Sequence, residues 1–461
     1  MCQPSFPHED RALLLTQKSG IIKLYVRLFS AKERRFFFMR ITMICIGSTG
    51  DVRPYIILGR ELRRRGHDIA ICAFSDFESD ILAEGLRFKP ADGDVKNLMG
   101  HLMTGDTGLG FLKHVHEALG DCLDPFLASI EAACDDAEAI IANYFGQIFR
   151  SIAEVRHVPY IQTHYFPMDK NDISAISSAP MQNGSKAWKR ISYPIGHLLV
   201  SAVEKLFLAD WRKSRGMPPR RWEAEPNYQL NGHTIPVLYA VSPLVMPRPV
   251  TWAENIHMTG YWLGGEEPFT PSQELTEFLE RGEKPVYIGF GSMVNEDMDH
   301  TLDIVLQALE KSGTRAVMST GWGGMEIPNR DDIFVADFVP HHWLFRQVSA
   351  VVHHGGAGTT AAGLQAGKPT LIIPFGGDQP IWAQRVQALG VGPKAIARDK
   401  LTVEKLSCAL TDLTSTKKYR VAARELGERL EKENGALIAA NIIEYELRKW
   451  LEEEGREPVI L

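Results

Sequence analysis

The chain has 461 residues, enough for two domains, and its 44% hydrophobic and 23% charged residues are those of a soluble globular protein. A net charge of −6 excludes the basic surface that nucleic acid demands. Six scattered cysteines without a CxxC pair exclude a zinc finger or a disulfide framework and fit a reducing cytoplasm, and no apolar run reaches the roughly 20 residues that cross a bilayer.

Residues 1–38 carry seven Lys/Arg against three Asp/Glu, so this extension is +4 and the remainder −10. From Ile21 to Phe38, apolar residues such as Ile22, Leu24, Val26 and Phe29 interleave with Lys23, Arg27, Lys32, Arg34 and Arg35. That composition reads either as a poorly ordered extension or as a peripheral contact with an anionic membrane surface. Charge interrupts the apolar part and no small-residue cleavage site follows, so it is not a signal peptide.

From Met39 the pattern changes. Arg40 to Gly47 reads as a buried parallel strand, Ser48, Thr49, Gly50 and Asp51 as a turn, and Pro54 lies early in an amphipathic helix that Gly66 stops. Strands at Asp68–Phe74, Ala139–Asn143 and Tyr160–Thr163 continue the same sheet, within a first domain placed at 39–245. Residues 95–120 form an apolar, glycine-bearing surface, and 164–186 a polar loop of 23 residues, longer than a connection needs. Over about 187–215 a helical stripe of Ile191, Ile195, Leu198, Leu199, Ala202, Leu206 and Phe207 is expected to enter the core or to wall an apolar acceptor cavity. Residues 246–284, rich in Pro and Gly, read as a linker. The second domain, 285–434, opens with a strand at Pro285–Phe290, and a terminal segment, 435–461, is expected to cross back onto the first.

The richest stretch is 351–379, VVHHGGAGTTAAGLQAGKPTLIIPFGGDQ. A strand ends at His353 and His354, glycines turn the chain, and Thr359 and Thr360 open a helix. Glycines admit close backbone approach, and the first helical N–H groups favour an anion, so a phosphate fits here. Asp378 and Gln379 open a later helix and suit sugar hydroxyls.

This run resembles the donor-binding signature of the inverting UDP-sugar-dependent glycosyltransferases, with HHGGAGTT and PFGGDQP most similar to the sterol and lipid glucosyltransferase branch and its antibiotic-decorating bacterial relatives. The resemblance implies an α/β fold of two facing Rossmann-like domains (GT-B type) with an interdomain cleft. It implies a donor site made by His353, Gly355, Gly356, Ala357, Gly358, Thr359, Thr360 and Ser292 around the diphosphate, with Ser48 and Thr49 beside it. Phe338 and Val339 are placed at the base, and Asp378 and Gln379 at the sugar. No metal or other cofactor is expected. Asp51 matches the branch's acidic residue that takes the acceptor's proton; alternatively it caps the helix by accepting the N–H of Arg53. His354 reads as packing behind the turn, and His164 as a loop residue or an acceptor contact.

The expected reaction transfers glucose from UDP-glucose to a hydroxyl of a sterol, lipid or polyketide-like acceptor. A TDP-deoxysugar antibiotic transferase, a UDP-sugar 2-epimerase and a non-catalytic sugar-nucleotide binder are the alternatives.

Overall fold

The computed structural model describes residues 37–93, 123–177, 184–221, 223, 225–264, 269–291, 298–319, 327–328, 330–336, 339–457 and 459–460. The extension up to residue 36, the 95–120 surface, Ser292 and Phe338 lie outside them.

Two parallel sheets organise these residues. The first contains β2 (Arg40–Ile44), β3 (Asp68–Ala73), β4 (Arg87–Pro90), β5 (Ala139–Ala142), β6 (Tyr160–His164), β7 (Val237–Tyr239) and β8 (Ile256–Met258) in the order β8-β7-β6-β5-β2-β3-β4. The second contains β9 (Val286–Gly289), β10 (Ala316–Ser319), β11 (Ile333–Ala336), β12 (Ala350–His353) and β13 (Thr370–Ile372) in the order β11-β10-β9-β12-β13. Ile41, Met43, Ile44, Val286, Ile288, Val351 and Val352 are buried on both faces of their sheets, as continuous apolar runs covered by helices require. In each sheet the strand order reverses beside the first strand, between β2 and β5 and between β9 and β12. The crevice beyond the strand ends at such a reversal is where α/β sheets bind ligands.

Several elements depart from the sequence reading. β8 falls inside the stretch read as linker, because Ile256 packs into a core that draws on both domains. Phe37 and Phe38, the last residues of the supposed extension, form β1 (Phe37–Phe38) and pair antiparallel with β14 (Val459–Ile460). Phe37 is buried, with the Arg448 guanidinium 4.5 Å from its ring centroid.

The 164–186 loop is not a slack polar connection where it is described. Its Asn171 Oδ1 accepts from the N–H groups of Ile173 and Ser174 at 2.8 and 2.9 Å, while its Nδ2 donates to the Asp169 carbonyl and Tyr193 hydroxyl. Ala175 and Ser174 are fully buried. The helix α3 (Lys186–Ser214) is turned so that Ser192, Tyr193 and Ala202 face inward, which leaves Ile191, Ile195 and Leu198 exposed rather than in the core.

The last helix, α7 (Gly435–Glu453), lies on α1 (Thr49–Arg64). Arg65 Nη1 donates to Asn441 Oδ1 at 2.8 Å and to Glu444 Oε2 at 2.7 Å, and Ala439, Ile443 and Leu447 join the first domain's core.

Candidate active site

The first crevice is shaped by how α1 begins. The helix starts at Thr49 with Ser48 as its N-cap, so the predicted turn is already helical at Thr49. Asp51, in the third helical position, turns back: its Oδ2 accepts the Ser48 N–H at 2.8 Å and the Ser48 hydroxyl at 3.2 Å. The carboxylate thus serves the Ser48 N–H ahead of the helix, which needs an acceptor, where the alternative reading has it serve the Arg53 N–H. Gly47, with φ +145°, makes the arrangement possible; a Cβ there would lie 2.3 Å from Asp51 Oδ2. Tyr165, at the end of β6, donates its hydroxyl to the Asp51 carbonyl at 2.8 Å. Neither Gly47 nor Tyr165 was legible as a site residue; only the fold brings Tyr165 across the sheet.

Burial is the largest influence on Asp51, raising its pKa from 3.8 to about 7 against the two Ser48 hydrogen bonds. The Asp378 carboxylate, from the second domain, adds repulsion in the same direction. Burial, and after it the Arg53 charge from the first domain, disfavours a proton on His341, at the start of α4 (His341–Gln347). The two crevices therefore face each other.

The second crevice is the end of β12. His353 is fully buried, and its Nδ1 accepts the Gly355 N–H at 3.0 Å. Burial, helped by His354 and His341, holds its pKa well below the ordinary value, so the ring is neutral and carries its proton on Nε2. Among the described residues Nε2 has no hydrogen-bond partner. A buried N–H donor without an acceptor, next to the first N–H groups of α5 (Ala357–Gln365), is a place for an anion's oxygen.

The glycines make room. Gly355, at φ +100°, sits so close to Ile372 that a Cβ would meet its Cγ2 at 2.6 Å. At Gly358, Gly376 and Gly377 an added Cβ would meet nothing within 4 Å, which marks open space around the turn. The His354 ring fills the gap between two glycine turns, 2.8 and 2.6 Å from where Cβ atoms on Gly291 and Gly356 would stand. Gly356 caps α5, Ala357 packs against cores of both domains, and Thr359 is half-buried. Thr360 turns inward instead, donating its hydroxyl to the Gly356 carbonyl at 2.9 Å.

Asp378 caps α6 (Gln379–Leu389) and accepts Trp382 Nε1–H at 2.6 Å; burial raises its pKa to about 6. Gln379 is buried, and its Oε1 accepts the N–H groups of Phe375 and Gly376 at 2.7 and 3.2 Å, so it shapes the glycine loop. Val339 is half-buried beside the second domain's core.

His164 lies at the end of β6 rather than in a loop, buried and hydrogen-bonded to Gln162 Nε2 at 2.8 Å. It lines a cavity of about 40 Å³ with Arg150, His197, Glu204, Glu223 and Tyr228. This cavity beside α3 is thus lined largely by polar groups. Among the described residues no group of three His, Cys, Asp or Glu side chains is arranged to hold a metal.

Comparison with known proteins agrees with this architecture. Residues 41–173 match the glycosyltransferase family 28 N-terminal domain, and residues 322–444 the C-terminal domain of erythromycin biosynthesis protein CIII-like proteins. The chain has the GT-B fold. A sterol 3-beta-glucosyltransferase of Debaryomyces hansenii is 34% identical over 430 residues, covering 88% of this chain and 27% of the relative. One from Arabidopsis thaliana is 33% identical over 414 residues, covering 86% of this chain and 64% of its own. The chain thus spans only part of the relatives it matches. The glycosyltransferase of kitacinnamycin shares the fold at a TM-score of 0.66 and 19% identity, covering 89% of this chain and 99% of that one. A Streptomyces glycosyltransferase complexed with thymidine diphosphate does so at 0.58 and 19%, covering 88% and 99%.

Proposed function

We propose that this glycosyltransferase moves glucose from UDP-glucose to a hydroxyl of an apolar acceptor, a sterol or a lipid, with inversion and without a metal. The sterol glucosyltransferase relatives support this choice of donor and acceptor. The observation that carries it is the pairing of a carboxylate at pKa about 7, Asp51, with the partnerless His353 Nε2–H in the facing crevice.

In this reading the neutral His353 donates to a diphosphate oxygen, and the N–H groups of Ala357, Gly358 and Thr359 together with the Thr359 hydroxyl meet the remaining charge. Asp378 faces the sugar, and Gln379 holds the glycine loop that surrounds it. Asp51 takes the acceptor's hydroxyl proton as the oxygen attacks the anomeric carbon. The bond from that carbon to the diphosphate breaks, UDP leaves with the electron pair, and an α-linked donor becomes a β-glycoside. Ser48 and Gly47 keep the Asp51 carboxylate aimed. Ser292 and Phe338 are assigned to phosphate and base by their place in the sequence alone.

The fold neighbour holding thymidine diphosphate motivates a second reading, a TDP-sugar donor. A donor panel in the presence of EDTA separates the two. Metal-free hydrolysis and binding selective for UDP-glucose support the first, preference for TDP-glucose supports the second, and no binding of any donor refutes both.

A further inference from the structure

The outward face of α3 carries an apolar stripe. Ile191, Ile195 and Leu198, at helical spacings of four and three, are 57%, 49% and 39% exposed. Rotation about the helix axis cannot hide them, because the opposite face is occupied. Ser192 Oγ accepts the Ile176 N–H at 2.9 Å, Tyr193 bonds Asn171, and Gly196 admits Ile176 so closely that a Cβ would lie 2.4 Å from its Cδ1.

Charge beside the first turns of the helix is mainly basic. Between Asp172 and Glu204 the chain has Lys186, Lys189 and Arg190 and no acidic residue, although the whole protein is −6. Lys186 and Arg190 are exposed in the first turns of α3, where the exposed Asp172 pairs with Arg190 at 2.6 Å and is also attracted by Lys186 and Lys189, so one acidic group stands against three cations. Exposed Lys170, on the adjoining loop, adds another cation. An apolar helical face edged by long cationic side chains matches a bilayer interface with anionic headgroups. Among the described residues no helix is long and apolar enough to cross a membrane, so the contact is a surface one.

We propose that α3 docks this protein on anionic lipid bilayers, with Ile191, Ile195 and Leu198 entering the acyl boundary and Lys186 and Arg190 meeting lipid phosphates. Docking stands on the surface alone. Its consequence, that a lipid acceptor reaches the cleft from the bilayer past the loop that α3 holds, rests on the function proposed above.

The test is co-sedimentation of the full chain with vesicles of phosphatidylcholine, with and without phosphatidylserine. The comparison is the variant Ile191→Ser/Ile195→Ser/Leu198→Ser, whose changes lie on solvent-exposed positions. Wild type is expected to bind the anionic vesicles, less so at high salt, and the variant to bind at least about 30-fold more weakly. Donor hydrolysis should be unchanged, and glucosylation should fall for vesicle-embedded sterol but not for detergent-dispersed sterol. Equal binding by the two proteins, or none by wild type, overturns docking. So does a wild-type dimer that the variant dissolves without any vesicle binding, which makes the stripe a self-association surface. Vesicle binding without transfer to sterol in either form overturns the proposed acceptor and leaves docking in place.

Discussion

Replacing Asp51 by Asn is expected to slow the proposed transfer and to make the fold more stable, with the gain in stability dependent on pH. Burial raises the Asp51 pKa from 3.8 to about 7, so the folded protein keeps a proton that the unfolded chain releases between those values. Wild-type stability therefore falls as pH rises through this window and levels off above about 7. The interval corresponds to about 4 kcal/mol, and to about 2 kcal/mol once the carboxylate's partial exposure to the cleft is allowed for. Asn retains an oxygen for the Ser48 N–H but carries no charge. The variant should match wild type near pH 4 and exceed it by about 2 kcal/mol at pH 8. Urea unfolding followed by tryptophan fluorescence at several pH values measures the difference, in which other titrating groups cancel. Its turnover should drop about 10²- to 10⁴-fold, and the wild-type rate should rise with pH through about 7. A stability difference that does not grow between pH 4 and 8 would refute the account of Asp51 as a buried carboxylate. Turnover within a few-fold of wild type would refute its role as base.

Gly47→Ala should lower turnover by about 10-fold or more with little change in UDP binding, because its Cβ would displace Asp51 Oδ2, 2.3 Å away, and leave the second crevice alone. Initial rates and calorimetry with UDP separate the two effects. His353→Phe, close in volume, removes the Nε2–H donor and should weaken UDP binding by about 10- to 100-fold, with the melting temperature as a control for folding. Glu444→Gln loosens α7 from the first domain by weakening the Arg65 bond at 2.7 Å. It should cost about 1 to 3 kcal/mol of stability by urea unfolding while donor hydrolysis by folded protein persists.

Much of the fold could be read from periodicity. Ile41–Ile44 and Val286–Ile288 are apolar on both faces because each lies inside a parallel sheet, and such runs announce themselves. The helix at 298–312 and the terminal helix from Gly435 to Glu453 carry regular apolar spacing that tertiary context did not override. The strand Ile256–Met258 was missed because three residues give no period to detect, and its place beside Val237–Tyr239 comes from non-local pairing. In α3 the periodicity was real but its direction was not: Ile191, Ile195 and Leu198 make a helical stripe whether it faces core or solvent. The bonds of Asn171, Ser192 and Tyr193, with the close approach at Gly196, decide which way the helix turns.

The site divides in the same way. The amino-acid sequence by itself determined the chemistry available: glycines where a backbone must turn at positive φ, histidines at a strand end, carboxylates at two helix starts. Those are local requirements, met by residues close in the chain. Tertiary structure alone decided how these groups are disposed. It buried His353 and left its Nε2–H without an acceptor, turned the Thr360 hydroxyl back to Gly356, and committed Gln379 to the glycine loop. It also brought Asp378 near enough to Asp51 to add to the burial that lifts that carboxylate to about 7. Desolvation and charge repulsion act through space, between residues more than three hundred positions apart, and no local pattern records them.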